Sequence, residues 1–163
     1  KSTSVSFSGD NKNPMVLREV TILNTKGNPS NRININSPIN IKIKYDINKK
    51  IKNVHVICLI MTHDGINIFS TGDADLKPER LGVRLPGNYN GNFKIPAKLL
   101  GEGQYYLTIS LGIPFQHVYE RHENIISFEI FDLDSKRRKS QHRRRPGILG
   151  IDIPWTYENY PID

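Results

Sequence analysis

Cysteine is almost missing from this chain. Cys58 is the only one in 163 residues, so no intramolecular disulfide can form. A disulfide-stapled scaffold is excluded, and the usage fits a reducing compartment. Cys58 stands inside the apolar run from Val54 to Met61, where a lone thiol reads as a small buried hydrophobe. Long apolar runs are missing too: none approaches the roughly 20 residues of a membrane-crossing helix. No window longer than one turn carries a helical period, which removes helical bundles and coiled coils. Glycine and proline, at 12 and 10 residues, fall far short of a collagen-like composition.

What the chain does have is enough apolar material for one core. Hydrophobic residues make up 37% and charged residues 24%, with a mean hydropathy of -0.48. That is the stock of a single globular domain rather than of a disordered chain. Isoleucine dominates the apolar set and asparagine is abundant, a bias toward strands and turns. The chain opens at Lys1 with neither an initiating Met nor a basic-then-apolar leader. No signal peptide is therefore expected, and the chain reads as a piece of something longer.

The formal net charge of +7 is local in origin. Lys136 to Arg145 holds seven of the 23 Lys and Arg and no carboxylate, leaving sixteen cations against sixteen carboxylates elsewhere. The cations are Lys136, Arg137, Arg138, Lys139, Arg143, Arg144 and Arg145. Such a run is a solvated basic loop, or a contact for an anionic partner such as lipid headgroups or an acidic polymer. No aromatic residue interleaves with the arginines to stack a base, so nucleic acid is not expected as a partner.

Strand signals follow one another along the chain. Residues 1–14 are polar and read as a linker or arm. Val16 to Leu23 is a strand closed by the turn-rich Asn24 to Pro29. Ile39 to Tyr45 alternates without error, and Ile51 to Thr62 is apolar on both faces, as in a central strand. Asp64-Gly65 marks a hairpin into Ile66 to Phe69. Residues 71–88 read as loop, Asn92 to Ile95 as a short strand, and Ala97 to Leu100 as one helical turn. Gln104 to Leu111 alternates, with Tyr105, Leu107, Ile109 and Leu111 on one face and Tyr106, Thr108 and Ser110 on the other. Ile125 to Phe131 alternates again, with Ser127 and Glu129 outward. A last strand is expected over Gly147 to Ile153, with Trp155 sealing the sandwich or, alternatively, serving as a sugar platform. Seven to nine strands with hairpin signals between them define an all-β, immunoglobulin-like antiparallel β-sandwich. Its expected extent is 15–157, with 136–145 as a basic loop and 158–163 as a tail.

Motifs for chemistry are few. Gly82 and Gly87 stand at phosphate-loop spacing, but Asn88-Tyr89 replace the Lys and Ser/Thr that would hold phosphate and magnesium. His122-Glu123 opens like a zinc-protease helix, yet Ile126 occupies the second His position. No nucleophile elbow is present, and His117 with His122 lacks a third ligand. The chain is therefore read as non-enzymatic, with no catalytic residue, metal or cofactor.

The order of several segments carries a family resemblance. They are Phe7-Ser8-Gly9, Arg18 to Gly27, Ile39 to Tyr45 and Asn53 to Gly65 with Ile68 to Thr71. Phe93 to Leu107, Ile126 to Ile130 and Arg145-Pro146-Gly147 through Trp155 complete the series. Together they resemble the C-terminal glycan-recognition domain of the ATPase subunit of polysaccharide ABC exporters, the Wzt type that moves O-antigen and related surface glycans. The likeness covers residues 7 to 157, and the Phe93–Leu107 stretch with the closing Pro-Gly to Trp segment is its most specific part. The resemblance implies a dimeric sandwich behind a nucleotide-binding domain, working at the cytoplasmic face of the membrane. There it would bind a lipid-linked surface polysaccharide and make export selective. The expected partners are that glycan, an upstream ATPase domain, a transmembrane exporter subunit and a second copy of the chain. The cationic final segment departs from the family pattern.

Sugar recognition needs aromatic faces against CH surfaces and polar groups for hydroxyls. The outward set Tyr106, Thr108, Ser110, Ser127 and Glu129 supplies both, with His55 joining from the neighbouring strand and His117 and Tyr119 from the adjoining loop. The same pattern is also that of an ordinary solvated sheet face. The rival reading is a protein-interaction or dimerisation module whose basic loop docks on a membrane or an acidic partner.

Overall fold

A computed structural model describes residues 2–162. Among the described residues nine strands are present: β1 (Ser4–Ser6), β2 (Met15–Leu23), β3 (Arg32–Asn34), β4 (Ile39–Ile47), β5 (His55–Thr62), β6 (Asn67–Gly72), β7 (Gly87–Ile95), β8 (Gly103–Ile113) and β9 (His117–Phe131). They form a four-stranded sheet in the order β1-β2-β4-β7 and a five-stranded sheet in the order β3-β9-β8-β5-β6. All pairings are antiparallel except β3 with β9. The expected β-sandwich is the architecture found.

The alternation read in the sequence explains the layering. Ile39, Ile41, Ile43, Tyr45 and Ile47 of β4 point inward and are buried. They meet Val56, Cys58 and Ile60 of β5, Tyr105, Leu107, Ile109 and Leu111 of β8, and Ile126, Phe128 and Ile130 of β9 in one core. Burial pushes the Cys58 thiol far above its ordinary range, so it remains an inert, protonated packing group. Strand β5 lies between β8 and β6. Its outer residues Ile57, Leu59 and Met61 are half-buried, which accounts for a sequence apolar on both faces.

The Asp64-Gly65 hairpin forms as expected. Gly65 has φ 91° and its N–H donates to the Thr62 carbonyl at 3.0 Å, a left-handed position that glycine occupies without strain. The connection from β6 to β7 contains a 3-10 turn, Pro78–Leu81, and is fixed by a buried network. Arg84, 5% exposed, donates to the Tyr45 hydroxyl at 2.9 Å and to the Val54 carbonyl at 3.0 Å, and pairs with Asp73 at 2.9 Å. The second Asp73 oxygen accepts the Val56 N–H at 3.0 Å.

Several expectations at the chain's ends are corrected. Within the polar arm 1–14, residues 4–6 pair with Glu19–Thr21 as an edge strand. Strand β9 begins at His117, well before Ile125, because register shifts near Thr108 and Gly112 break the alternation that would reveal it. The basic loop is in part a helix, α1 (Lys136–Gln141). The Ser135 hydroxyl caps it by accepting the Arg138 N–H at 3.1 Å, satisfying a first-turn donor. The expected strand over Gly147 to Ile153 is reduced to one bridge, Leu100 with Leu149. Trp155 is 77% exposed and does not seal the sandwich.

Candidate glycan-binding face

The outer surface of the five-stranded sheet gathers the polar and aromatic residues singled out by alternation. Strand β8 lies between β9 and β5, and registers Tyr106 with Ser127 on one side and with Met61 on the other. Gln104 stands opposite Glu129. Tyr106, Ser127 and Glu129 therefore share one end of this face, as expected.

At that end a cleft of about 430 Å³ opens. Tyr106 and Phe131 supply aromatic surface, Gln104, Glu129 and His63 supply hydrogen-bonding groups, and Arg144 reaches in from beyond α1. The Arg144 guanidinium donates to the Glu102 carbonyl at 2.8 Å. Gly103 has φ 152°, and a Cβ there would come within 3.1 Å of the Arg144 Nη2 atom. The bare backbone thus lets the guanidinium lie close over the start of β8. Beneath the cleft, burial raises the Tyr105 phenol above its ordinary range, and the nearby Arg144 charge opposes that rise.

The carboxylates around the cleft have partners. Glu102 pairs with Arg138 at 2.5 Å, and Glu129 with Arg32 at 3.8 Å. Arg32 also lies over the Phe131 ring, 4.4 Å from its centroid, a cation–π contact that covers part of that ring. The aromatic and hydrogen-bonding mixture suits a ligand with both CH and OH surfaces.

The other nominated residues do not join this cleft. Thr108 lies between Tyr106 and Ser110 but is 2% exposed. Its hydroxyl accepts the Asn124 N–H at 3.1 Å and contacts the Met61 sulfur, so it is spent on structure at the point where β9 bulges. Ser110 accepts from Arg121 at 3.2 Å. His55 registers with Gly112, six residues along β5 from Met61, on the order of 20 Å away at the spacing of a strand. Its Nδ1 is buried without a hydrogen-bond partner. His117 pairs with Ile113 at the same far end. Tyr119 packs against the core and meets the His117 ring at 4.6 Å, so it is not a free platform. His122 turns instead to Glu120 at 2.9 Å and to Phe7.

Gln104 and Phe131 were missed, although both have the parity of outward residues. Gln104 is two before Tyr106, and Phe131 is two after Glu129. Arg144 was singled out only as part of a basic run, because its place beside Tyr106 depends on how α1 packs. Of the seven basic residues, Arg138 pairs with Glu102, Arg137 donates to the Leu149 carbonyl at 3.2 Å, and Arg144 enters the cleft. Arg145 lines a small crevice beside Gly101 and Asp132. Lys136, Lys139 and Arg143 carry no ion pair among the described residues.

Among the described residues no group of three or more His, Cys, Asp or Glu side chains could hold a metal, and no helix is long and apolar enough to cross a membrane.

The Wzt C-terminal domain family matches residues 11–149. A solved structure described as the crystal structure of the C-terminal domain of wzt superposes with a TM-score of 0.71 at 16% sequence identity. The match covers 95% of this chain and 87% of that one. No curated protein sequence matches.

Proposed function

Because the chain belongs to the Wzt C-terminal domain family, whose members are non-catalytic and serve ABC exporters as carbohydrate-binding domains, we propose that it recognises a lipid-linked surface polysaccharide and confers substrate specificity on such an exporter. The observation that carries the reading is the cleft on the outer sheet face, where Tyr106 and Phe131 stand with Gln104 and Glu129. The aromatic surface would meet sugar CH groups, and the amide and carboxylate would satisfy hydroxyls. The apolar outer row of β5, Ile57, Leu59 and Met61, extends that surface away from the cleft. A polymer of repeating sugars would follow the face with modest affinity per unit, and pairing of two domains would add avidity.

The setting we infer is the cytoplasmic face of the membrane, with an upstream ATPase domain and a transmembrane exporter subunit as partners. A homodimer fits the terminal segment. Ile153, Trp155, Tyr157, Tyr160 and Ile162 are each at least two-thirds exposed, and such a row of apolar side chains calls for a covering surface. Sedimentation of the purified chain together with Trp155 fluorescence tests this. A dimer with blue-shifted emission supports it, and a monomer with water-exposed emission at all concentrations refutes it.

The test of the main reading is calorimetric titration of the chain with the surface polysaccharide of its source organism, in parallel with Tyr106→Ala. Losing the ring should weaken saturable binding by roughly twofold to tenfold, at the ~0.5–1.5 kcal/mol typical of an aromatic contact. Absence of binding to any authentic polymer by the folded chain would remove the reading. It would favour the docking module instead, whose supporting observation is the exposed set Lys136, Lys139 and Arg143. Neutralising those three should leave glycan binding intact and abolish electrostatic docking.

A further inference from the structure

We propose that the cleft at Tyr106 selects an acidic glycan, one carrying a carboxylate or phosphate ester, through the guanidinium of Arg144. This rests on the carbohydrate-binding reading above and narrows its ligand class.

Three observations lead there. First, the chain's entire charge excess resides in 136–145, and one cation of that largely exposed segment, Arg144, lines the cleft. The helix α1 is held by Arg138, which donates to the Asp132 carbonyl at 3.0 Å and pairs with Glu102, at the start of β8 and the end of β9. Second, the two carboxylates lining the cleft are each opposed by an arginine of their own, Glu102 by Arg138 and Glu129 by Arg32. Arg144 is left with one neutral acceptor, the Glu102 carbonyl, and no carboxylate among the described residues. Its remaining N–H groups form a planar fork suited to bidentate contact with a carboxylate or phosphate. Third, Arg144 and Tyr106 line the same cleft, so a sugar resting on the ring would present its acidic substituent to the fork. A neutral sugar would leave that cation without a counter-charge.

The segment carries six other arginines and lysines, none of which lines the cleft. They would raise the local concentration of a polyanion without reading its geometry. That difference separates a site from a charged surface, and it sets the experiment.

Binding would be measured by titration with two probes of equal length and linkage: oligogalacturonate and its carboxyl-reduced, neutral counterpart. A printed panel of acidic and neutral bacterial surface oligosaccharides would be screened in parallel. The variants are Arg144→Gln, Arg144→Lys, Tyr106→Ala and, as an equal-charge control outside the cleft, Arg143→Gln. The expected result is preference for acidic ligands, lowered roughly tenfold to a hundredfold by Arg144→Gln and partly restored by Arg144→Lys. Arg143→Gln at physiological salt should change it by less than about twofold. Neutral ligands bound through Tyr106 and indifferent to Arg144→Gln overturn the proposal while leaving the carbohydrate reading intact. No glycan bound at all overturns both. Equal losses for Arg143→Gln and Arg144→Gln, with matching adsorption to phosphatidylglycerol vesicles, reassign the segment to membrane docking and also overturn the proposal.

Discussion

Replacing Asp73 by alanine should be among the most destabilising single changes on the β6–β7 connection. Asp73 accepts the Val56 N–H at 3.0 Å through one oxygen and pairs through the other with Arg84 at 2.9 Å and Arg80 at 3.3 Å. The Arg84 side chain is only 5% exposed and that of Asp73 20%, so solvent screens little of the pair. Removing the carboxylate leaves a buried guanidinium with only the Tyr45 hydroxyl and the Val54 and Arg80 carbonyls, and it orphans a backbone donor. Breaking one side of a buried ion pair costs about 3–5 kcal/mol. In a domain of this size each kcal/mol moves the melting temperature by about 2–4 °C. The expected drop is therefore about 6–20 °C by calorimetry or circular dichroism. Arg32→Gln is the comparison: its pair with Glu129 spans 3.8 Å between side chains 62% and 49% exposed, and it should cost at most about 1 kcal/mol. Asp73→Ala/Arg84→Met, which replaces the orphaned cation with a buried apolar chain, should recover part of the loss. A fall of less than about 3 °C for Asp73→Ala would refute the claim that this network fixes the connection between the sheets.

Other outcomes follow from the same contacts. Tyr45 and Tyr105 are pushed above the ordinary phenol range by burial, against nearby arginines. In an absorbance titration these two phenols should ionise above the ordinary range. Since folding favours their neutral forms, the stability they contribute is present below pH about 10 and lost as pH rises beyond it. Two tyrosines titrating late only while the chain is folded is the signature to seek. Cys58 should resist a disulfide-exchange reagent until the chain is denatured, and rapid labelling of the native protein would contradict its burial. Gly112→Ala should destabilise strongly, because a Cβ would stand 2.2 Å from the His117 carbonyl oxygen and 2.9 Å from the Val118 Cα. A melting temperature unchanged within about 1 °C would show that the β8–β9 hairpin gives way cheaply. Asp152 is held below the ordinary carboxylate range by the hydrogen bond from Lys98. The docking of 147–152 should thus persist above that range and loosen as pH falls through it, which amide exchange at Gly150 would report.

Much of this molecule is written in local pattern. Alternation over Ile39 to Tyr45, Gln104 to Leu111 and Ile125 to Phe131 settles which residues face the core, because strand side chains repeat every two residues and burial selects one face. The same arithmetic places Tyr106, Ser127 and Glu129 outward. It would have added Gln104 and Phe131 had the outward rows been carried to the ends of their strands. The pattern fails where the backbone leaves the simple repeat. Thr108 has outward parity, yet the register shift beside it lays β9 over its hydroxyl. His117 and Tyr119 belong to β9, but the shift at Gly112 turns Tyr119 toward the core.

The sequence alone determined an all-β sandwich, the inward rows of Ile39 to Tyr45, Gln104 to Leu111 and Ile125 to Phe131, the inertness of Cys58 and the confinement of the net charge to 136–145. These follow from nearest-neighbour chemistry and side-chain period, which need no knowledge of what lies across the fold. Only the tertiary structure decided that β8 runs between β9 and β5, that His55 and Tyr106 stand at opposite ends of one face, and that Trp155 is left in solvent. It also decided that Arg144 shares a cleft with Tyr106, because that meeting joins residues 38 positions apart. Strand order, register and the packing of α1 bring them together, and those are set by the whole core at once rather than by any local stretch.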